Sequence, residues 1–329
     1  MYGIAGCCAA LAVAAGLAYT LMTAEADCGE ETEGRLIYVD RDDTQDSIRE
    51  KSRLGWRWDF YSKFLKYNPR TGRYRVKSGT SCLQLYRQLR NGTQEPLLLL
   101  VPNARTMDKL AASLSQSLMV DSAEIASALT DNSFCETYGY TTATIPALFI
   151  PNTYEVYWNI TVDKLLEKMQ RENKAFWTAD REAKAKACGM THEEVATLAS
   201  IVDEETANNG EKPMIAGLYL NRLKTGMPLQ ADPTVKFAVG DFSLRRILNV
   251  HLLTESPYNT YKVVGLPPGP IRIASIAGLD AVLNHAEHNY LYMCAKEDFS
   301  GTHNFAATYS EHLKNARRYV KALNERGIK

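Results

Sequence analysis

Net charge is the first thing this chain lacks: 38 Lys and Arg stand against 38 Asp and Glu in 329 residues. With no basic field, and no basic stripe interleaved with aromatics, nothing holds a polyphosphate, so nucleic acid is not an expected partner. Metal-type spacing is missing as well. The seven cysteines, Cys7, Cys8, Cys28, Cys82, Cys135, Cys188 and Cys294, include no C-x-x-C pair, and an odd, dispersed set does not make a disulfide framework. They read as small buried hydrophobes. Among only six histidines, His192-Glu193-Glu194 lacks the second histidine one turn on that a zinc-protease helix needs. No metal and no other cofactor is expected. Internal repeats and low-complexity tracts are absent, and no Lys or Arg comes before Arg35.

That last gap frames what is present at the start. Met1 to Ala24 is uncharged and rich in Ala, Leu and Val, about the ~20 residues a membrane-spanning helix requires. Ala24-Glu25-Ala26 has the small-x-small form of a signal-peptidase site, and Ile4-Ala5-Gly6-Cys7 mimics a lipoprotein box, which fails because almost nothing precedes Cys7. The positive-inside rule gives no orientation here. An uncleaved anchor is favoured over a cleaved signal, with the rest of the chain outside the cytosol. Hydrophobic residues make up 45% of the chain, enough to fill the cores of two domains or one large one. Eighteen tyrosines and four tryptophans suit a neutral, hydroxyl-rich ligand such as a glycan, although most of these rings belong in cores.

The pattern implies an α+β protein. Residues 1–24 form the anchor and 25–34 an acidic, Gly-containing linker. Within 35–102, a strand at Arg35 to Asp40, helices at Thr44 to Lys51 and Trp58 to Tyr67, and a strand at Arg73 to Lys77 give the order β-α-α-β. That order resembles the small LysM-like fold of cell-wall proteins, in pattern rather than in diagnostic residues. A helix comes next at Ser81 to Arg90, closed by Asn91-Gly92, and then a buried strand, Glu95 to Pro102. Residues 103–329 form a larger mixed α/β domain. Its helical stripes run through Met107, Leu110, Leu114 and Leu118, then Ile125 and Leu129, then Leu165, Leu166 and Met169 behind Thr161. Ala147 to Trp158 reads as strands broken at Pro151-Asn152, and a last helix carries Leu313, Ala316, Val320 and Leu323.

The stretch LASIVDEETANN, Leu198 to Asn209, sets three carboxylates directly behind an apolar run. Thr191-His192-Glu193-Glu194 has capping-box form, so a helix begins there. At about 100° per residue, with Leu198 at zero, Glu205 falls near −20°, inside the stripe made by Val195, Ile201 and Val202. Asp203 falls at about +140° and Glu204 at about −120°, both away from it. An inward carboxyl is costly unless paired or protonated, and desolvation raises its pKa toward the range where it donates a proton near neutrality. That property suits a general acid. Two plainer readings stand beside it: the helix has frayed by Glu205, or an arginine such as Arg222 neutralises it.

Beyond this helix, Gly217 to Leu223, Met227 to Val235 (MPLQADPTV), Ser256 to Tyr261 (SPYNTY) and Gly265 to Ile271 (GLPPGPI) set polar and aromatic residues between Pro and Gly, as rigid groove-lining loops do. Together, ASIVDEET, LNRL, LQADPTV, SPYNTY, GLPPGPI, YLYMCA and His303-x-Phe305 resemble the membrane-anchored endolytic murein transglycosylases, the MltG/YceG-like family. The resemblance runs from the apolar start to Phe305. It implies that Glu205 of Glu205-Thr206 is the catalytic acid, with Asp203 where the family usually has Glu. Glu205 would protonate the glycosidic oxygen between N-acetylmuramic acid and N-acetylglucosamine. As carboxylate it would then take the proton of the muramic 6-hydroxyl as that oxygen closes onto C1, leaving a 1,6-anhydromuramic end.

Thr206, Gln230, Asp232, Thr234, Ser256, Tyr258, Asn259 and Tyr261 are the candidate substrate-binding residues, each with a plainer role as a loop staple. Asp232 is the nearest second carboxylate, though an Asp before Pro equally well caps a turn. Asn221 and Arg222 read as structural, and His303 either touches substrate or braces the Phe305 loop. Peptidoglycan strands are the implied substrate, glycan-polymerising penicillin-binding proteins the implied partners, and a single-pass inner-membrane site with an extracytoplasmic catalytic domain the implied location. A hydrolytic muramidase would need a second carboxylate opposite Glu205. A non-catalytic cell-wall-binding scaffold would not need Glu205 at all.

Overall fold

The computed structural model describes residues 2–30, 32–68, 70–244 and 246–327. They divide into two compact units, Met1–Leu99 with Ser115–Val120 and Tyr154–Thr161, and Leu100–Leu114 with Asp121–Thr153 and Val162–Lys329.

In the first unit, α1 (Tyr2–Thr23) coincides with the expected anchor. The side chains of residues 2–9, which include the Ile4 to Cys7 segment, lie outside the described residues, as does Met1. Among the described residues no helix is long and apolar enough to cross a membrane. After α1 come β1 (Arg35–Val39), α2 (Gln45–Ser52), α3 (Trp56–Phe64), β2 (Gly72–Val76) and α4 (Cys82–Asn91), so the β-α-α-β order is present. β1 and β2 pair antiparallel with Ile37 opposite Tyr74, and period-two alternation turns Ile37, Val39, Tyr74 and Val76 inward. The helices cover that face with Ile48, Trp58, Tyr61, Leu85, Tyr86 and Leu89. α4 starts in a capping box of Ser81 and Gln84 and stops at Gly92, whose φ of 70° is the left-handed C-terminal form. Residues 25–34, the expected linker, begin as part of this unit: Ala26 N donates to Thr80 O at 2.8 Å, and Cys82 N to Ala24 O at 2.7 Å.

β3 (Leu97–Val101) pairs with β4 (Asn152–Val156). The expectation of a fully buried strand at 95–102 does not hold. β3 alternates, with Leu98 and Leu100 exposed, because a two-stranded sheet is covered here on one face only. Nor is Ala147 to Trp158 two strands: its start belongs to a 3-10 turn at Ile145–Leu148, with Pro146 in second place, and only β4 comes after it.

The second unit is mainly helical. α5 (Met107–Ser115), α6 (Ser122–Thr130), α7 (Asn132–Glu136), α8 (Val162–Phe176) and α9 (Ala179–Ala187) precede α10 (His192–Glu205), α11 (Lys212–Lys224), α12 (Asp232–Val239), α13 (Asn249–Leu252) and α14 (Ile276–Leu283). A hairpin of β5 (Tyr292–Ala295) and β6 (His303–Ala306) and a final helix, α15 (Tyr309–Glu325), complete it.

α10 is the axis of this unit. Thr191 caps it, accepting from Glu194 N while Glu194 Oε2 accepts from Thr191 N at 2.8 Å. From Val195 to Val202 every residue is buried, so the single apolar stripe of the helical wheel is in fact a helix enclosed all round by α11, α12 and α14. Even its polar positions are used inside the core: Ser200 donates to Thr197 O at 2.7 Å and accepts from Ile271 N at 3.0 Å. α11 approaches closely because Gly217 faces the chain after α14. A Cβ there would stand 2.3 Å from Ala286 O. Gly217→Ala is therefore expected to destabilise the fold by roughly 1–3 kcal/mol through overpacking, read as a lower urea midpoint at unchanged slope.

Candidate active site

The three consecutive acids at the end of α10 meet three different environments. Asp203 grips Ser275, the N-cap residue of α14: its carboxylate accepts from Ser275 N at 2.6 Å and Ser275 Oγ at 2.8 Å, and Lys212 Nζ lies 2.7 Å away. Gly278 makes room for it, since a Cβ there would sit 2.6 Å from Asp203 Oδ1. Glu204 takes a fork of hydrogen bonds from Arg105 Nε and Nη2, both 2.8 Å, and a third from Arg272 Nη1 at 2.5 Å. The wheel turned both acids away from the core stripe; the structure shows that they are clamped rather than solvated. The helix has not frayed, because Thr206 N still donates to Val202 O at 3.3 Å.

Glu205 is the acid without a cationic clamp. Its Oε1 accepts from Tyr219 Oη at 2.6 Å, and the carboxyl lines a cleft of about 220 Å³ with Tyr219, Gln230, Asp232, Tyr261 and His303. Burial pushes its pKa up to about 7; the Tyr219 hydrogen bond opposes this, Asp232 adds to it, and His303 and Lys236 oppose it more weakly. Arg222 does not pair with it. That guanidinium is spent on the carbonyls of Leu291, Pro228 and Leu229, at 2.6, 3.2 and 2.8 Å. A carboxyl that titrates near neutrality beside a cavity can give a proton and take one back.

The candidate binding residues separate into two groups. Gln230, Asp232 and Tyr261 stand in the cleft with Glu205. Gln230 has a φ of 51°, a conformation costly for a residue with a side chain, held by its N–H donating to Thr260 O at 3.0 Å. Asp232 opens α12 without capping it; its Oδ1 accepts from Tyr261 Oη at 2.7 Å. The others staple loops. Thr206 accepts from Asn208 N at 3.1 Å, Thr234 is buried against Thr260 Oγ1 at 2.8 Å, and Ser256 accepts from Tyr258 N at 3.2 Å. Asn259 is buried, donating to the carbonyls of Leu252 and Thr254, both at 2.9 Å. Tyr258 packs on Phe237, ring centroids 4.6 Å apart.

Two contributors carry no local signal in the sequence. Tyr219 reaches Glu205 from the neighbouring helix, and Glu211 anchors His303, accepting from its backbone N at 2.6 Å and facing its Nδ1 at 3.0 Å. Asn221 is structural, donating to His288 O at 2.7 Å and Tyr290 O at 3.1 Å.

A model of the YceG-like family matches residues 42–318. The endolytic murein transglycosylase of Bacillus subtilis (strain 168) is 42% identical over 130 residues, 40% of this chain and 35% of that protein. Its counterpart in Streptococcus pneumoniae (strain R6) is 27% identical over 303 residues, 80% of this chain and 53% of that protein. The chain thus spans about half or less of the length of these curated relatives. A crystal structure of a YceG-like protein from Listeria monocytogenes shares the fold, with a TM-score of 0.57 and 24% identity over 85% of this chain and 98% of that one.

Two outcomes are expected from the electrostatics of Glu205. Its folded pKa lies above the ordinary 4.5, so the cost of ionising it is absent at pH 4 and complete above pH 7. Glu205→Gln should leave the melting temperature unchanged at pH 4 and raise stability at pH 8 by at most about 3 kcal/mol. Tyr219→Phe removes a donor to the carboxylate and should raise the Glu205 pKa further, read by NMR titration of its side-chain carboxyl carbon; an unmoved pKa would exclude that hydrogen bond.

Proposed function

Since the chain belongs to the YceG-like family, we propose that it is an endolytic lytic transglycosylase that cuts the bond between N-acetylmuramic acid and N-acetylglucosamine in peptidoglycan. The observation that carries this reading is the Glu205 carboxyl, half-buried in the wall of a cleft and hydrogen-bonded by Tyr219, with desolvation pushing its pKa up to about 7. Protonated, it donates to the glycosidic oxygen as the C1–O bond breaks. Tyr219 occupies Oε1, which leaves Oε2 for that oxygen. Asp232, across the same cleft, keeps the proton on Glu205 before the bond breaks and adds negative charge near the cation-like C1 as it forms. The muramic 6-hydroxyl then closes onto C1, giving up its proton to a base in the cleft, and a 1,6-anhydro end results with no water consumed. Gln230 and Tyr261, which line the cleft, would hold acetamido and hydroxyl groups.

The same proposal assigns the uncharged α1 as a single-pass anchor in the inner membrane, with the catalytic unit on the extracytoplasmic side. Tethering would confine the cleft to a layer beside the bilayer, where strands emerge from glycan polymerases such as penicillin-binding proteins. Cutting within those strands would limit their length. The β1-α2-α3-β2 arrangement supports reading the first unit as LysM-like.

Asp232 also favours a second reading, a hydrolytic muramidase, because it supplies a second carboxylate in the cleft that could activate water. Mass spectrometry of digested peptidoglycan separates the two. Anhydro ends should dominate for the wild type and fall by at least about 100-fold in Glu205→Gln, the scale of lost acid catalysis. Reducing ends that vanish in Asp232→Asn would establish hydrolysis instead. No product from the wild type would leave only a wall-binding scaffold.

A further inference from the structure

His303 opens β6 directly opposite Ala295 of β5, so the register of the hairpin delivers its ring to the wall of the Glu205 cleft. Glu211, at the N-cap of α11, holds it twice, Oε1 accepting the backbone N–H at 2.6 Å and Oε2 facing Nδ1 at 3.0 Å. Both side chains are largely buried, 16% and 8% exposed, so this grip is not a loose surface pair. A carboxylate only accepts, so Nδ1 carries the hydrogen, and the form of the ring that can act as a base has its lone pair on Nε2. Among the described residues Nε2 has no partner, while the ring lines the cleft. The cleft therefore contains a carboxyl poised to donate and an imidazole oriented to accept.

Resting on the transglycosylase reading, we propose that His303, fixed in its tautomer and direction by Glu211, is the base that takes the proton of the attacking muramic hydroxyl, while Glu205 is the acid alone. As the C1–O4 bond breaks, the Glu205 proton passes to O4 of the departing N-acetylglucosamine. As the C1–O6 bond forms, the 6-hydroxyl proton passes to His303 Nε2. Afterwards the imidazolium loses its proton to solvent and the Glu205 carboxylate regains one, so the enzyme is restored and no net water is consumed. Dividing the two proton transfers removes the need for one carboxyl oxygen to serve both, which matters because Tyr219 already occupies the other. His303 is the substrate-contacting group; Glu211 is a positioning residue.

The test uses the full chain on polymeric glycan strands, counting anhydro ends. His303→Ala should lower kcat by about 100-fold, the low end for a lost general base, with KM little changed. Added imidazole should recover a substantial part of it, which a purely bracing role would not allow. Glu211→Gln should lower kcat by about tenfold or more, on the scale seen when the partner orienting a histidine is changed, and imidazole should not rescue it because the ring still fills its place. If His303→Ala melts early, His303→Gln decides, since its amide can brace the loop but cannot act as a base. The proposal is overturned if either folded His303 variant keeps kcat within about twofold of wild type, or if imidazole restores nothing to a folded His303→Ala. Reducing ends from the wild type, or full activity in Glu205→Gln, would instead overturn the transglycosylase reading itself.

Discussion

One carboxyl drawn away from bulk water, with a single hydroxyl donor to satisfy it, is the constraint around which the second unit is arranged. Desolvation alone would keep Glu205 protonated well above its ordinary range, and a cation in contact would make it a permanent anion. The fold avoids both extremes. Arg222, the nearest guanidinium in sequence terms, is committed to three backbone carbonyls and remains off the carboxyl, while Tyr219 supplies a neutral donor that moderates the shift. Asp232 then adds negative charge at a distance, and the result is a group that titrates near neutrality.

Holding such a group in place demands a rigid helix end. α10 obtains rigidity from the two residues before Glu205: Asp203 joins α14 and Lys212, and Glu204 joins Arg105 and Arg272. Two saturated neighbours fix the backbone on which the unsaturated one sits. The loops use the same method, with Asn259, Thr234 and Thr260 buried so that Gln230 and Tyr261 are presented at defined positions. Residues that never face the cleft thereby determine which groups do.

Much of this was legible in the sequence because it is local. The capping box at Thr191 and the β-α-α-β order follow from spacing over a few turns, and the structure places them where that spacing did. Pairing between distant segments could not be read in the same way. Nothing near position 203 announces that Ser275 awaits it, nor that Tyr219 and Glu211 converge on the cleft from α11. The helical wheel assumed one dry face, whereas α10 is enclosed on all sides, so polarity no longer marked orientation. Loop staples such as Asn259 and groove groups such as Tyr261 share composition and turn chemistry, and only burial separates them.

The sequence Asp-Glu-Glu at the close of α10 has a further implication for how this segment can vary over evolution. Each residue added to a helix turns every later side chain by about 100° and advances it about 1.5 Å. One residue inserted after Val202 would hand the partner of Ser275 to the arginines, and the partner of the arginines to the cleft. All three acids would survive in composition while every assignment changed. Substitutions at the surface of this unit are open to drift, but the length of α10 between Thr191 and Glu205 is not; it is a ruler on which no graduation can be moved.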